Sequence, residues 1–146
     1  MKTLIFQSQK ELYSFVANQV SNQLKHKSSS VLGLSSGKTM IPLYNNKKFQ
    51  NLNFSKARTF NSDEYSTKNK KQSFLNYMER YFVKKTNIKK ENFHILPFNQ
   101  EKIEQACKEY EDEIKKSRGI DFQILGLGRN GHIGFNEPGS SFQSRT

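Results

Sequence analysis

The feature that most constrains the fold of this chain is a regular alternation of short apolar segments with segments of helical periodicity along its 146 residues. The strand-like segments are Lys2–Gln7, Val31–Leu34, Ala57–Phe60, Phe93–Leu96 and Ile120–Leu125. Apolar residues recur every three or four positions in the helical segments, which are 8–24, Ile41–Lys48, 74–82 and 103–114. Five strands that alternate with four helices predict a single α/β domain over residues 1–146, with an open, mostly parallel sheet and helices on both faces.

Local signals indicate where several of these elements start and stop. Ser8 followed by Glu11 forms a capping box, so the first helix is expected to begin there. Pro42 is tolerated because it lies in the first turn of the second helix. Pro97 is expected to end the fourth strand, and Gly119 is suited to the C-terminal cap of the fourth helix.

The single cysteine and the short apolar runs exclude two classes of protein. Cys107 has no partner for an internal disulfide, and its place beside Ala106 on an apolar helix face predicts a buried structural thiol. Apolar runs such as Ile124–Leu125 are far shorter than the roughly 20 residues of a membrane-spanning helix. Because a secretory signal is also absent, we expect a cytoplasmic protein with no membrane partner.

The chain is strongly basic, with 24 Lys and Arg residues against 13 Asp and Glu residues and a formal net charge of +11. Such a charge is also typical of proteins that bind nucleic acids. However, most of the basic residues are lysines in scattered pairs among asparagines, and no RNA-binding or DNA-binding motif accompanies them. The charge therefore predicts a solvated surface rather than a nucleic-acid partner.

Three loops that follow strand-like segments carry the chemically reactive residues. They comprise Ser36–Thr39, Asn61–Tyr65 and Gly126–Glu137. In an open parallel sheet, ligands bind outside the carboxyl ends of the strands, which lie at one edge. We therefore expect these three loops to open onto one candidate site.

Two glycine-rich sequences in these loops resemble nucleotide-binding motifs. Gly33–Thr39 resembles a P-loop but is one residue too short. A glycine loop that leads into a helix still presents unpaired N–H groups to an anion, so phosphate binding is favoured over an ordinary strand-to-helix turn. Gly126–Gly131 has the letters of the dinucleotide fingerprint, but it lacks the helix and the distant acidic residue that this motif requires. We therefore predict no dinucleotide cofactor.

The polar residues of the other two loops are suited to acid–base chemistry. His132 lies near Asn130 and Glu137, and such partners fix the tautomer of a histidine that transfers protons. Asp63 offers a carboxylate that can remove a proton next to a carbonyl group. Taken alone, Asp63 is typical of a solvated charge and His132 of a structural histidine. Together with an anion site, they indicate proton transfer on a phosphorylated small molecule, with no metal, because no Cys/His cluster has zinc spacing.

These residues also carry a resemblance to a known family. Phe60–Tyr65 and Gly131–Pro138 closely resemble the two signature loops of the glucosamine-6-phosphate deaminases, in the glucosamine/galactosamine-6-phosphate isomerase family. Leu32–Thr39 is similar to the phosphate loop of that family, and the three segments occur in the family's order. The related 6-phosphogluconolactonases share the fold and the Gly-His loop but not the continuation Phe135–Pro138. The resemblance implies a Rossmann-like sheet and the conversion of glucosamine 6-phosphate and water to fructose 6-phosphate and ammonia, without a cofactor.

The resemblance further implies a role for each matching residue. Asp63 would move the proton between carbons 1 and 2 of the sugar during enolisation. His132 would assist ring opening, with Asn130 and Glu137 holding and tuning its ring. Four consecutive residues would bind the 6-phosphate through backbone and hydroxyl donors: Ser36, Gly37, Lys38 and Thr39. Lys38 stands where the family usually has a second glycine, and its charge could contact the phosphate directly.

The length of the chain leaves its activity open. Members of the family are considerably longer, so the resemblance implies that the chain corresponds to the N-terminal half of the family domain, with a sheet that is incomplete at the C-terminus. The chain is then a deaminase, or a truncated remnant that is inactive or merely binds sugar phosphates. A hydrolase similar to 6-phosphogluconolactonase is a further alternative. An unpaired edge strand would favour association into a homo-oligomer.

Overall fold

A computed structural model of the chain describes residues 2–65, 70–96 and 102–143. The described helices are α1 (Gln9–His26), α2 (Ile41–Tyr44), α3 (Lys47–Gln50), α4 (Phe74–Tyr81) and α5 (Ile103–Lys116). The strands are β1 (Val31–Leu34), β2 (Arg58–Asn61), β3 (Phe93–His94) and β4 (Phe122–Gln123). Short 3₁₀ turns occupy Lys38–Met40, Lys70–Gln72, Val83–Lys85 and Lys90–Asn92. All neighbouring strands pair in parallel, which confirms the predicted α/β class.

The order of the strands reverses at β1. The strand order is β3-β2-β1-β4, so β2 and β3 lie on one side of β1 and β4 lies on the other. In the register, Leu34 lies opposite Asn61 of β2, and Gly33 lies opposite Gln123 of β4. A doubly wound sheet leaves a crevice outside the carboxyl ends of its strands at such a reversal. The loops that follow β1, β2 and β4 meet there.

The hydrophobic core lies on one face of the sheet. Leu32 and Leu34 of β1 reach it from the sheet, and α1 covers it with Ala17, Val20 and Leu24. Four buried rings fill its centre, with neighbouring centroids 5.3–6.2 Å apart: Tyr44, Phe49, Phe54 and Phe82. Burial of each large apolar side chain contributes about 1.5–3 kcal/mol. The strand ends that carry the site therefore rest on a well-packed layer.

The start of α1 follows the predicted capping box. The side chain of Ser8 accepts a hydrogen bond from the N–H of Glu11 at 3.2 Å. In return, the Glu11 carboxylate accepts from the N–H of Gln7 at 3.1 Å. The first contact satisfies a donor that a helix start leaves unpaired, and the second ties the residue before the cap to the first turn.

The prediction of a strand at Lys2–Gln7 is wrong. Residues 2–6 have irregular backbone, and Ile5 is 90% exposed. The ring of Phe6 instead packs on Phe15 of α1, with centroids 5.2 Å apart. A β-like sequence forms a strand only where a neighbouring strand offers hydrogen-bond partners, and no described strand lies beside this segment.

The prediction of one helix over Ile41–Lys48 is also wrong. The side chain of Asn46 accepts from the N–H groups of Lys48 and Phe49, at 2.9 and 3.2 Å, and so caps a new helix. The segment therefore forms the separate helices α2 and α3. Pro42 does lie in the first turn of α2, as expected.

The strand bounds differ from the predicted ones in small ways. β2 begins one residue later than the predicted Ala57–Phe60, and β3 and β4 are shorter than predicted. Two of the predictions concern residues outside the described ranges. They are the end of the fourth strand at Pro97 and the last part of the predicted domain, 144–146. Gly119 follows α5 with a φ of 83°, and its N–H reaches the carbonyl of Ile114 at 2.9 Å, which confirms the predicted cap.

α5 lies on the face of the sheet opposite to the core. Its Tyr110 hydroxyl donates to the carbonyls of Asn61 at 2.8 Å and His94 at 3.1 Å, and its ring meets Phe60 edge-on at 5.5 Å. Helices therefore cover both faces, as predicted. No described helix is long and apolar enough to cross a membrane.

The prediction that Cys107 is a buried thiol is wrong. Cys107 is exposed, and α5 contains no fully buried residue. It borders a cavity of about 820 Å³ that also reaches Leu125 and Ile133. The apolar spacing of α5 does mark a helix face, and Tyr110 packs on β2 from it, but Cys107 on the same face borders this cavity and stays exposed.

Candidate active site

The three reactive loops meet around a cavity of about 270 Å³ at the strand reversal. Seven of the eight predicted site residues line this cavity: Ser36, Gly37, Lys38, Thr39, Asp63, His132 and Glu137. The eighth, Asn130, binds His132 and Glu137. The structure thus brings together residues that are up to 101 positions apart in the sequence, from Ser36 to Glu137.

The loop after β1 rests on the ends of its neighbouring strands. The buried hydroxyl of Ser35 donates to the carbonyl of Ile124 at 2.8 Å and lies 3.3 Å from the hydroxyl of Ser62. The amide of Asn61 donates to the hydroxyl of Ser36 at 2.9 Å. Because the Ser36 oxygen accepts this bond, its own proton stays available to a ligand in the cavity.

Gly37 makes the sharp turn of this loop. Its φ of 103° lies in a region that residues with a side chain rarely adopt. Within the described residues, Arg118 is the one non-glycine residue with a positive φ, so Lys38 has an ordinary backbone conformation. The lysine at this position therefore requires no distortion, and its exposed side chain stands at the mouth of the cavity.

Asp63 supplies a buried carboxyl group to the cavity. The residue is 9% exposed, and within the described part of the chain its Oδ1 atom has no hydrogen-bond partner. Burial raises the pKa of Asp63 above its ordinary value and the charge of Glu64 raises it further, while a hydrogen bond from Ser62 opposes both. A buried and unpaired carboxylate oxygen is costly to fold, and such groups concentrate at functional sites.

Glu64, the neighbour of Asp63, has a structural position. Its carboxylate accepts from three backbone N–H groups, those of Tyr65 at 2.7 Å, Phe74 at 2.6 Å and Leu75 at 2.7 Å. The last two belong to the first turn of α4, where a negative charge is stabilising. Glu64 thus ties the loop after β2 to α4 and holds the backbone of Asp63 beside the cavity.

His132, Asn130 and Glu137 form a hydrogen-bonded chain whose proton positions can be derived. The amide nitrogen of Asn130 donates to Glu137 Oε2 at 2.7 Å, because a carboxylate only accepts. The amide oxygen of Asn130 therefore faces His132 Nδ1, also at 2.7 Å, and Nδ1 must carry the proton. In the neutral imidazole, this leaves the lone pair on Nε2 free to accept a proton.

Gly128 allows the His132 ring to take this position. A Cβ atom on Gly128 would lie 2.3–2.5 Å from three atoms of the imidazole, closer than any real contact. The Gly128 N–H also donates to the carbonyl of His132 at 2.8 Å. The glycines of Gly126–Gly131 therefore allow this loop to pack closely around His132. As predicted, turns and not a helix follow them in the described residues.

An aromatic wall of the cavity has no counterpart among the predictions from the sequence. The ring of Tyr65 lies 4.6 Å from that of Phe74 and 5.3 Å from that of Phe135. Phe74 and Phe135 are nearly parallel, at 6.4 Å. Phe135 lies in the signature loop after β4, yet only the folded chain shows that it packs against rings from the loop after β2 and from α4. No group of three metal-ligating side chains lies together in the described ranges.

The fold and the geometry of the cavity agree with comparisons to known proteins. Residues 7–135 match the family described as glucosamine-6-phosphate isomerases/6-phosphogluconolactonase, and the chain belongs to this family.

Within the family, the full chain is 44% identical to the glucosamine-6-phosphate deaminase of Clostridium acetobutylicum and covers 63% of that protein. It is also 41% identical to glucosamine-6-phosphate deaminase 2 of Bacillus subtilis, of which it covers 61%. The chain thus spans about three fifths of the length of these relatives.

Solved structures give the same relationship. The fold is similar to that of a monomeric glucosamine-6-phosphate deaminase, with a TM-score of 0.87 at 35% identity, over 99% of this chain and 62% of the other. A 6-phosphogluconolactonase from Thermotoga maritima matches with a TM-score of 0.76 at 27% identity, over 92% of this chain and 64% of the other.

Proposed function

We propose that this site converts glucosamine 6-phosphate and water to fructose 6-phosphate and ammonia. The observation that carries the proposal is the placement of two groups on the same small cavity. One is the buried carboxylate of Asp63, one oxygen of which has no hydrogen-bond partner among the described residues, and the other is a histidine of defined tautomer, His132. Aldose–ketose chemistry needs these two groups: one base that opens the sugar ring and another that moves a proton between neighbouring carbons. The names of the relatives support this choice of substrate.

Ring opening falls to His132. Its free Nε2 accepts the proton of the hydroxyl on carbon 1, the bond between carbon 1 and the ring oxygen breaks, and the ring oxygen takes up a proton from the solvent. The imidazolium that forms is stabilised through Asn130, whose amide is oriented by Glu137. Glu137 Oε1 also lies 3.7 Å from Nδ1, close enough to stabilise the positive charge directly.

Proton transfer between carbons falls to Asp63. Its carboxylate removes the proton from carbon 2, the electron pair forms the double bond to carbon 1, and the carbonyl oxygen takes up the proton that the His132 imidazolium carries on Nε2. Asp63 then returns its proton to carbon 1 while the nitrogen lone pair forms a double bond to carbon 2. Water hydrolyses the resulting protonated imine to the ketone and an ammonium ion, which releases a proton to the solvent as ammonia. Because burial raises its pKa, Asp63 is a stronger base than an exposed aspartate.

The 6-phosphate is assigned to the loop after β1. The hydroxyl proton of Ser36 and the exposed ammonium of Lys38 can both reach an anion at the cavity. The N–H groups of Lys38 and Thr39 precede the first hydrogen bond of the 3₁₀ turn, from Met40 to Gly37, and remain unused by that turn. These donors match the oxygen-rich surface of a phosphate monoester.

A second candidate is sugar-phosphate binding without turnover. It is favoured by the exposure of His132 and Glu137, whose side chains are 42% and 65% exposed. In an open site, water weakens every electrostatic interaction that a transition state needs. A hydrolase similar to 6-phosphogluconolactonase is the remaining alternative.

The test is the release of ammonia and fructose 6-phosphate from glucosamine 6-phosphate by the purified chain. Deamination predicts a turnover that disappears in Asp63→Asn, while both proteins still bind the substrate in calorimetry. Binding without ammonia from either protein would instead establish the non-catalytic candidate. Hydrolysis of 6-phosphogluconolactone with no ammonia release would favour the lactonase alternative.

Location and assembly remain predictions from the sequence. We propose a cytoplasmic enzyme of amino-sugar metabolism whose partner is the sugar phosphate itself. The predicted homo-oligomer can be checked by sedimentation of the purified chain.

A further inference from the structure

Three tyrosine hydroxyls from three different helices meet the loop that follows β1. Each donates to a backbone carbonyl of that loop: Tyr44 of α2 to Ser35 at 2.6 Å, Tyr77 of α4 to Gly37 at 2.7 Å, and Tyr13 of α1 to Thr39 at 2.5 Å. The hydroxyls must be the donors, because a carbonyl oxygen only accepts. The tyrosines thus bind alternate carbonyls of one short segment.

Two of these contacts also determine where an N–H group points. A trans peptide unit holds the C=O of one residue antiparallel to the N–H of the next, and the described residues contain no cis peptide bond. By binding the carbonyl of Ser35, Tyr44 sets the direction of the Ser36 N–H. By binding the carbonyl of Gly37, Tyr77 sets the direction of the Lys38 N–H. Both N–H groups point away from the hydroxyls, and Ser36 and Lys38 line the cavity.

The third contact differs in this respect. The carbonyl of Thr39 belongs to the peptide unit that ends in the N–H of Met40. That N–H donates to the carbonyl of Gly37 at 3.1 Å within the 3₁₀ turn. Tyr13 therefore orients a peptide with no donor to offer a ligand, which makes it a matched comparison for the other two.

The surroundings of Tyr44 and Tyr77 suit a fixed support. Tyr44 is completely buried, and the ring of Tyr77 packs edge-on against it with centroids 6.3 Å apart. Burial raises the pKa of both hydroxyls above the ordinary value for tyrosine, so both remain protonated donors at physiological pH. Their rings pack in the core layer, so the loop after β1 that they bind is held in a fixed position by that layer.

We propose that Tyr44 and Tyr77 are positioning residues of the phosphate loop, which hold the carbonyls of Ser35 and Gly37 so that the N–H groups of Ser36 and Lys38 face the substrate's phosphate. This inference rests on the proposed function and extends it to two residues outside the three site loops. Neither tyrosine takes part in proton transfer. Their loss therefore weakens phosphate binding and leaves the chemical step intact.

The experiment is a titration of the ¹⁵N-labelled chain with glucosamine 6-phosphate and, separately, with inorganic phosphate. In the wild type, the amide resonances of Ser36 and Lys38 should shift with both probes. The Kd for glucosamine 6-phosphate should rise about five- to tenfold in Tyr77→Phe and in Tyr44→Phe, the effect of one misdirected hydrogen bond. Tyr13→Phe should change it less than about twofold. In the ammonia assay, the two positioning variants should raise KM and leave kcat unchanged.

Thermal unfolding of each variant separates positioning from folding. If Tyr44→Phe does not fold, the half-buried Tyr77 decides the question alone. Wild-type affinity in Tyr77→Phe would overturn the inference and leave the proposed function standing. So would an equal loss in Tyr13→Phe, since that would indicate a general loosening of the loop. A wild-type chain that binds neither probe would overturn the proposed function, and this inference with it.

Discussion

The two sides of the candidate site are built in different ways. On the side of β1 and β2, the polar groups at the strand ends are buried: Ser35 is 6% exposed, Asn61 2% and Asp63 9%. On the side of β4, the side chains of His132 and Glu137 are 42% and 65% exposed. The first side is anchored to the core by side chains from several helices and strands. The second is held by hydrogen bonds within its own loop and by Phe135, which packs on Tyr65 and Phe74.

Because of this difference, substitutions on the two sides should affect folding stability and catalysis to different degrees. A substitution on the β1–β2 side disturbs groups that water does not reach, so it changes folding as well as chemistry. A substitution on the β4 side breaks contacts that water can replace, so its effect should be confined to chemistry. Variants on both sides test this separation, and the strongest effects are expected at Asp63 and His132, the groups proposed to transfer protons.

Asp63→Asn should have the largest effect. Loss of the base should lower kcat for ammonia release by roughly 10²- to 10⁴-fold. The free energy of unfolding at pH 7 should be unchanged or larger, because the variant removes a charge that burial destabilises. Steady-state kinetics and urea unfolding measure the two effects, with Asp112→Asn as control, since the Asp112 side chain lies outside the site and is 45% exposed. A variant that is both inactive and less stable would contradict the assignment of Asp63 as a functional group.

His132→Gln should reduce kcat by roughly 10²-fold, since the site loses the group that accepts the first proton. Its Tm should stay close to that of the wild type, because the ring is partly exposed and contacts its own loop. Steady-state kinetics should thus show a strong effect and thermal unfolding almost none. A large drop in Tm would show that the β4 side is coupled to the core after all.

Glu64→Ala should reverse this pattern. The carboxylate binds three backbone N–H groups at the start of α4, and its loss should cost about 1–2 kcal/mol of unfolding free energy. Glu64→Gln, which keeps an acceptor oxygen, should cost less. Because Glu64 holds the backbone of Asp63 beside the cavity, Glu64→Ala should also lower kcat modestly. Unchanged stability in Glu64→Ala would contradict the capping role.

The pH dependence of stability gives a further contrast between two aspartates. The pKa of Asp63 is raised by folding, so the native state binds its proton more tightly than the unfolded state does. The wild type should therefore lose stability relative to Asp63→Asn as pH rises from the ordinary aspartate range through the raised pKa. Paired urea titrations between about pH 3.5 and 7 measure this difference. A difference that shrinks as pH rises would show that the sign is wrong.

Asp121→Asn should have the smallest effect. Asp121 pairs with Lys27 at 2.7 Å and accepts from the N–H of Val31 at 2.8 Å, and these contacts lower its pKa. Its contribution is present above the ordinary aspartate pKa and is lost as pH falls through the lowered one. Because the pair is partly exposed, the loss at pH 7 should be below about 1 kcal/mol. High salt should reduce the difference, and a loss that salt does not alter would contradict an ionic origin.

The sequence predicted best those features that depend on neighbouring residues. The Ser8–Glu11 capping box is an example, because its partners are three positions apart. The sequence did not predict the order of the strands. The rule that parallel strands end at one edge was nevertheless enough to predict that Ser36, Asp63 and His132 lie at one cavity. The roles assigned to these three residues remain predictions.

The sequence failed where the outcome depended on what lies opposite a segment. Lys2–Gln7 has the residues of a strand but no described neighbour to pair with, and Cys107 lies on an apolar helix face but borders a cavity that leaves it exposed. Periodicity records which face of an element is apolar. It carries no information on whether another element covers that face.

The sequence was therefore sufficient for the α/β class, for the edge of the sheet that carries the site and for the residues that reach it, because periodicity and loop chemistry are local properties. Tertiary packing alone established that Asp63 is buried while His132 is partly exposed, that Asn130 fixes the histidine tautomer, and that three distant tyrosines bind the loop after β1. Burial and hydrogen-bond partners are created when separate segments pack together.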